Sequence, residues 1–411
     1  MDQFDIVAVV IVLAAAFAYL NARFLRLQPT IGVMILSLAA SAVVIVIGQL
    51  IDPHIHQQAA NLLSQVRFSQ TLLRWMLGFL LFAGALHVDL DELRRQGTVT
   101  FALATVATIL STFLIGGLMW LAFYAAGISI GFLPCLAFGA LISPTDPVAV
   151  VNVMRRANTT LQTQTILSAE SLFNDGVGVV LFLTIVGMLN QTSRVSVLST
   201  ALLLIRQTGG GLLLGFAIGW LIYRLMRQVH EFEVEVLLTL ALVMGGYALA
   251  DRLACSGPIA MVVAGLLIGN QGRLFHMDRQ SREDLLRFWN VIDEILNAVL
   301  FLLIGLEVLA IKFALPIMLV AAAAVLVTLS SRWISVWLTL AAMGSRRRFG
   351  NKIVAILTWG GLRGGLAVAM ALSLPPGDYR EPIVAITWTV AVFSVLVQGT
   401  TIGRVLAVVD M

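Results

Sequence analysis

The feature that most constrains the fold of this chain is a succession of long apolar runs that covers most of its 411 residues. Hydrophobic residues make up 59% of the sequence and charged residues only 12%, whereas soluble domains carry about 25% charged residues. Most runs are about 17–27 residues long, and a helix of about 20 residues crosses the hydrocarbon core of a bilayer. Thirteen runs can be counted, at about 5–22, 29–50, 70–88, 99–124, 132–154, 162–190, 198–223, 234–251, 257–270, 288–310, 314–340, 352–374 and 382–408. The sequence therefore predicts an all-α polytopic membrane protein with about 13 transmembrane helices.

The basic residues predict how the chain is oriented in the membrane. Cytoplasmic loops carry an excess of Lys and Arg, and arginines cluster after every second run, whereas the opposite loops hold only isolated ones. The clusters include Arg23 with Arg26, Arg94 with Arg95, Arg155 with Arg156 and Arg224 with Arg227, and the isolated residues include Arg67 and Arg194. We expect a cell (inner) membrane protein with the N-terminus outside and the C-terminus in the cytoplasm. Its net charge of +4 then reflects topology, so the bilayer is the expected partner and nucleic acid is not.

Two of the runs are interrupted in the middle by residues that disfavour a helix. Pro144 and Pro147 flank Asp146 in run five, and proline removes a backbone donor and disfavours helix at the preceding residue. In run twelve, pairs of glycines stand on either side of Leu362 and Arg363. Runs one to six form one half of the chain and runs eight to thirteen the other, and the two halves enter the membrane from opposite sides. Each broken run is the fifth of its half. This correspondence favours inverted repeats with two broken crossing helices and a binding site between them, rather than ordinary kinks.

Run six carries a polar cluster on one side of an otherwise apolar helix. At 100° per residue, Glu170, Ser171, Asn174 and Asp175 fall within about 140° of arc. A carboxylate near the bilayer centre costs roughly 2.5–3.5 kcal/mol on insertion scales, so a transported ion, a proton or a basic partner must offset it. Asp175 and Ser171 can supply oxygens to a monovalent cation. Where run five unwinds, freed carbonyls and the Thr145 hydroxyl would be added ligands.

Arg363 needs an acidic partner, because a guanidinium stays charged in a protein. Glu170 is the first candidate and Asp146 the second, and we expect Glu170 to form a structural ion pair rather than to carry the ion. For Asp146, a cap on a broken half-helix is nearly as good an interpretation as direct ligation. Arg332 is interpreted as part of a structural pair near the membrane interface, and the pattern assigns no role to Asp293.

Three motifs in order resemble those of the monovalent cation:proton antiporters, and most closely the bacterial sodium/proton antiporters related to the animal sodium/hydrogen exchangers. The motifs are Thr145-Asp146-Pro147, Glu170-Ser171-Leu172-Phe173-Asn174-Asp175-Gly176 and Gly361-Leu362-Arg363-Gly364-Gly365. The resemblance covers nearly the whole chain. It implies a six-helix core of runs four to six and eleven to thirteen, and an interface domain that forms a homodimer. In this sequence the core lies at about 98–190 and 314–408, the interface part at about 1–97 and 230–312, and a connector helix at about 198–227.

The resemblance also assigns roles to individual residues. The family's ion-binding residues match Asp175, Ser171, Thr145, Asp146 and Asn174, and its Glu–Arg pair matches Glu170 and Arg363. It implies Na⁺ at Asp175, Ser171 and Thr145, with no cofactor besides the transported Na⁺ or Li⁺ and H⁺. Several prokaryotic members carry a glutamate where this chain has Ala83, so cation affinity or selectivity could differ.

These observations predict a transport protein rather than an enzyme. The leading interpretation is a secondary active antiporter that exchanges Na⁺ or Li⁺ for H⁺ by alternating access. Related electrogenic exchangers carry two adjacent acids where this chain has Asn174 and Asp175, so one titrating group predicts electroneutral 1:1 exchange. A K⁺/H⁺ antiporter of the same fold is the alternative. A passive cation channel is a weaker one, because channels need a continuous pore with repeated carbonyls or charged rings.

Overall fold

The computed structural model describes residues 3–50, 76–147, 150–151, 153–154, 161–190, 197–229, 231–270, 279–311, 314–344 and 346–410. The helices of this part of the chain are α1 (Gln3–Leu20), α2 (Pro29–Leu50), α3 (Leu77–Leu86), α4 (Leu90–Ala102), α5 (Thr108–Ala125), α6 (Phe132–Ile142), α7 (Leu161–Leu189), α8 (Val197–Met226), α9 (Phe232–Arg252), α10 (Gly257–Gly269), α11 (Arg279–Glu307), α12 (Leu315–Ala342), α13 (Arg346–Trp359), α14 (Gly365–Leu372), α15 (Arg380–Phe393) and α16 (Gly399–Asp410). π-Helical turns at Asn21–Leu25, Leu103–Ala107 and Ser394–Gln398 extend α1, join α4 to α5 and join α15 to α16. Arg67, Arg155, Arg156 and Arg194, used above to predict the orientation, lie outside the described residues.

The helices have the lengths and compositions expected of membrane spans. Within the described ranges, nine helical stretches are long and apolar enough to cross a membrane, and α3, α6 and α10 are apolar but shorter. Each of the thirteen predicted runs overlaps at least one of the helices. The predicted all-α multi-pass fold is confirmed, whereas the count of thirteen spans stays a prediction.

Both predicted helix breaks are present, and they meet each other. Helix α6 ends at Ile142, two residues before Pro144, and the glycine-flanked segment separates α13 from α14. The two non-helical segments run antiparallel, and the backbone N–H of Asp146 donates to the carbonyl of Leu362 at 2.8 Å. A free backbone group in hydrocarbon costs several kcal/mol, so this pairing stabilises the crossing of the two broken helices.

Close helix contacts surround the crossing. Lipid tails are as apolar as leucine, so membrane helices associate through van der Waals packing and small residues that let backbones approach. A Cβ at Gly139 of α6 would lie 2.2 Å from the Thr112 carbonyl of α5, so this contact requires glycine. Helices α5, α6, α7, α12, α14 and α15 share one buried apolar cluster, to which α3 and α10 also contribute. The crossing therefore lies inside a tightly packed group of helices.

A second group of helices packs beside the first. Helix α11 contacts α2, and helix α10 contacts both α3 and α8. Trp289 of α11 is fully buried among Phe79, Phe82 and Phe288, with ring centroids 4.7–5.8 Å apart. Helices α3 and α11 also touch the first group, through α7 and α14 respectively. The boundary between the two groups therefore runs next to the crossing.

Candidate ion-binding site

Helix α7 carries the predicted polar cluster into the interior of the bundle. Glu170, Ser171 and Asn174 are buried and Asp175 is half-buried. Their spacing places them on adjoining faces of the helix, and α7 packs against α6, whose end is the first break. The polar side chains of α7 consequently meet the unwound backbone.

Asn174 uses its whole side-chain amide to support that backbone. Its Oδ1 accepts a hydrogen bond from the N–H of Thr145 at 3.1 Å, and its Nδ2 donates to the Thr145 hydroxyl at 2.9 Å and to Glu170 Oε1 at 2.6 Å. The hydroxyl of Ser171 donates to the carbonyl of Thr145. Leaving one buried polar group unpaired costs about 1–3 kcal/mol. Asn174, predicted as an ion-binding residue, is thus placed as a support for Thr145.

Glu170 forms a buried ion pair with Arg332, a residue of α12. Nη1 of Arg332 donates to Glu170 Oε1 at 3.0 Å and Nη2 donates to Oε2 at 2.7 Å, and the side chains are 1% and 0% exposed. This two-pronged geometry is the strong form of an arginine–carboxylate contact. The predicted pair between Glu170 and Arg363 is therefore wrong. Both carboxylate oxygens of Glu170 accept hydrogen bonds from Arg332, and the guanidinium of Arg363 binds backbone carbonyls instead.

Arg363 caps the first half of the broken helix. Its Nη1 donates to the carbonyls of Ser143 and Pro144 at 2.5 and 2.8 Å, and its backbone N–H donates to the Ser394 hydroxyl at 2.9 Å. The last carbonyls of a helix lack donors and carry a partial negative charge. The guanidinium therefore satisfies the end of α6 instead of a carboxylate.

Asp146 lies against the beginning of the other half-helix, α14. A Cβ at Gly364, the residue before α14, would lie 2.6 Å from Asp146 Oδ2 and 2.8 Å from its Cβ. Only glycine allows this approach. A carboxylate is stabilised at a helix N-terminus by up to about 1 kcal/mol when exposed and more when partly buried. Asp146 and Arg363 thus place opposite charges at the two half-helix ends of the crossing.

A cavity of about 260 Å³ opens beside the crossing. Its polar lining includes the side chains of Thr145, Asp146, Ser168, Ser171, Asp175, His87, Asn290, Asp293 and Asn297. Among the described residues, no side chain donates a hydrogen bond to the Asp175 carboxylate. No group of three His, Cys, Asp or Glu in the same part of the chain is arranged to hold a metal ion. A cation in this cavity would therefore draw on carboxylate, hydroxyl and carbonyl oxygens together.

The structure separates the predicted site residues into two sets. Asp175, Ser171, Thr145 and Asp146 line the cavity together. Asn174, Glu170 and Arg363 lie behind it and hold the backbone of the crossing. The cavity-lining set offers the oxygens that a small monovalent cation needs, and the second set fixes their positions.

Comparison with known proteins identifies the family. A family model described as "Sodium/hydrogen exchanger, transmembrane" matches residues 11–408. The chain belongs to the sodium/hydrogen exchanger family. The Na⁺/H⁺ antiporter NhaP of Pseudomonas aeruginosa is 44% identical over 403 residues, which cover 97% of this chain and 95% of that protein. The Na⁺/H⁺ antiporter NhaH of Halobacillus dabanensis is 31% identical over 371 residues, which cover 89% and 90%.

A solved structure shows that this member of the sodium/hydrogen exchanger family also shares a known fold. The sodium proton antiporter MjNhaP1 from Methanocaldococcus jannaschii, at pH 8, matches with a TM-score of 0.76 over 98% of both chains, at 22% identity. The likeness to the antiporters predicted from the three motifs is confirmed.

Three residues near the site were not assigned to it from the sequence. The sequence places Arg332 near the membrane interface, yet the structure buries it beside Glu170. A lone arginine in an apolar run that belongs to the predicted core was the available signal. Asp293 and Asn297 line the cavity from α11, and their spacing of four residues on an amphipathic helix was the signal for them.

Proposed function

We propose that this member of the family exchanges Na⁺ for H⁺ across the membrane as a secondary antiporter. One observation carries the proposal: the half-buried carboxylate of Asp175 has no hydrogen-bonding partner among the described residues and faces a cavity together with Ser171 and Thr145. The same oxygen atoms can bind either a proton or a cation, but not both at once. This competition couples the two fluxes without any further group.

The surrounding charges restrict the exchange to one carboxylate. Glu170 is engaged by Arg332, and Asp146 lies at the beginning of α14. Asn174 has no titrating group. Asp175 then cycles between one proton and one Na⁺, and both loaded forms carry the same charge, which makes exchange electroneutral. The oxygens of Ser171 and Thr145 complete the shell around the ion.

We propose that alternating access arises from movement between the two groups of helices. The core at about 98–190 and 314–408 would carry the ion, and the part at about 1–97 and 230–312 would stay in place as the contact of a homodimer, with 198–227 as the connector. The position of the cavity between α3 and α11 on one side and α7 and α14 on the other supports this division. We also propose the inner membrane, with the N-terminus outside and the C-terminus in the cytoplasm, on the alternation of basic residues.

The test is proton movement in liposomes that contain the purified protein, challenged in turn with Na⁺, Li⁺ and K⁺. We expect Na⁺ and Li⁺ to release protons from the loaded site and K⁺ to be far less effective, in line with the relatives named as Na⁺/H⁺ antiporters. The Asp175→Asn variant, inserted normally, should release none. Cation-driven proton movement at the wild-type rate in that variant would refute the assignment. Sodium flux that continues without proton movement would indicate a channel.

A further inference from the structure

Helix α11 presents a polar stripe to the cavity. Asn290, Asp293 and Asn297 follow each other at intervals of three and four residues, so they share one face, and all three line the cavity. Trp289 lies one turn before Asp293 and is buried against Phe82 of α3. An apolar wall would close this boundary at no cost in desolvation, so the stripe calls for another explanation.

The exposure of the stripe changes along the helix. Asn290 is exposed, Asp293 is half-buried and Asn297 is 4% exposed. The three residues therefore lead from an exposed position to the interior of the cavity. Asp293 is also within electrostatic reach of Asp146 on the opposite wall. Carboxylates on facing walls repel one another unless positive charge lies between them.

Asn297 adds a second polar group at this depth. Its side chain interacts with the Asp293 carboxyl, although Nδ2 and that carboxyl fall short of full hydrogen-bond geometry. Buried polar groups are nearly always satisfied by protein or water. The water shell of an entering cation would complete the hydrogen bonding of this loosely held amide.

We propose that Asp293 and Asn297 form a second cation subsite on the α11 wall, where a partly hydrated Na⁺ docks before it passes to Asp175. This inference rests on the proposed Na⁺/H⁺ exchange and adds an entry step to it. Asp293 supplies the charge that attracts the ion, and Asn297 accommodates its remaining water. Because the docked ion keeps part of its shell, the subsite governs the apparent affinity for Na⁺ rather than the maximal rate.

The test is the Na⁺ concentration dependence of proton movement in liposomes that contain the full-length protein. Asp293→Asn should raise the KM for Na⁺ about tenfold, which is the order expected for one carboxylate–cation interaction in partly screened surroundings, and leave the maximal rate near that of the wild type. Asp293→Glu should restore most of the affinity. Asn297→Ala should raise the KM by a smaller factor, because it removes no charge.

Glu294→Gln is the matched control, because Glu294 is the next residue on the same helix, is exposed, and does not line the cavity. It should keep the wild-type KM. A wild-type KM in Asp293→Asn and in Asn297→Ala would overturn the subsite, as would an equal rise in Glu294→Gln. If Asp293→Asn does not insert, Asp293→Glu and Asn297→Ala decide the question by the same measure. A wild-type protein without Na⁺-dependent proton movement would instead refute the proposed function itself.

Discussion

At the scale of single residues, the crossing is stabilised by buried charges that are engaged by specific neighbouring groups. The buried carboxylate of Glu170 is held by Arg332, and Asn174 donates to the same carboxylate. The guanidinium of Arg363 is held by backbone carbonyls. The Asp175 carboxylate receives no hydrogen bond from any of the described residues, as the proposed exchange of its load requires.

The ion pair makes a prediction about stability. Removing one partner of a buried pair typically costs about 3–5 kcal/mol, because an uncompensated charge remains. Arg332→Met should therefore lower the melting temperature in detergent clearly. Asp175→Asn serves as the control and should melt near the wild type, since no hydrogen bond to that carboxylate is lost. An Arg332→Met protein as stable as the wild type would contradict the pairing.

Asn174 allows a second prediction that separates support from ligation. Asn174→Asp replaces the donor that lies 2.6 Å from Glu170 Oε1 by a second carboxylate oxygen, so like charges would meet at that position. We expect Asn174→Asp to be less stable than Asn174→Ala, which loses hydrogen bonds at about 1–3 kcal/mol for each group left unpaired, and to show weaker Na⁺-driven exchange. Thermal unfolding and exchange of the two variants are compared with the wild type. Stronger Na⁺ binding in Asn174→Asp would show that residue 174 acts as a ligand.

At the scale of secondary-structure elements, each half-helix end is satisfied by the other broken helix. Arg363, next to α14, donates to the end of α6, and Asp146, beyond α6, lies at the beginning of α14. The π-helical turn after α15 contributes the Ser394 hydroxyl, which is fixed in turn by Gln398 at 2.7 Å. The two broken segments and the turn after α15 therefore contact one another at the crossing. Their spacing depends on the close approach at Gly364.

This close approach makes a prediction for Gly364→Ala. The added Cβ would lie 2.8 Å from the Cβ of Asp146, an atom tied to the backbone, so the two broken segments must separate. We expect exchange to fall at least about tenfold, equivalent to about 1.4 kcal/mol. Gly245→Ala on α9 is the control, because a Cβ there meets nothing within 4 Å. Equal activity of the two variants would show that the spacing at the crossing does not matter.

At the scale of the whole molecule, the fixed positions of Glu170 and Asp146 predict electroneutral transport. If only Asp175 exchanges its load, both loaded forms move the same charge across the membrane. The transport of one net charge would couple to the potential by about 2.3 kcal/mol per 100 mV. Na⁺-driven proton movement should thus proceed at the same rate in liposomes clamped at zero or about −100 mV with valinomycin and K⁺. A rate or end-point that shifts with voltage would mean that a second acid, such as Asp146, joins the cycle.

The sequence by itself determined the elements and the places where they break. Run length and hydropathy specify membrane helices, Pro144 and Pro147 terminate one of them, and helical periodicity places Ser171 and Asp175 near each other. All of these are local properties of the chain, which is why they could be predicted without knowing how the helices pack.

Only the tertiary structure decided which charged groups meet. Glu170 and Arg332 are 162 residues apart in the chain, and Arg363 lies 220 residues from the Ser143 carbonyl that it binds. Several acids and arginines of similar burial could have paired, and no periodicity ranks such alternatives. Helix packing also turned Asp293 towards the cavity. These choices depend on distances of a few ångströms between helices, which local sequence patterns do not contain.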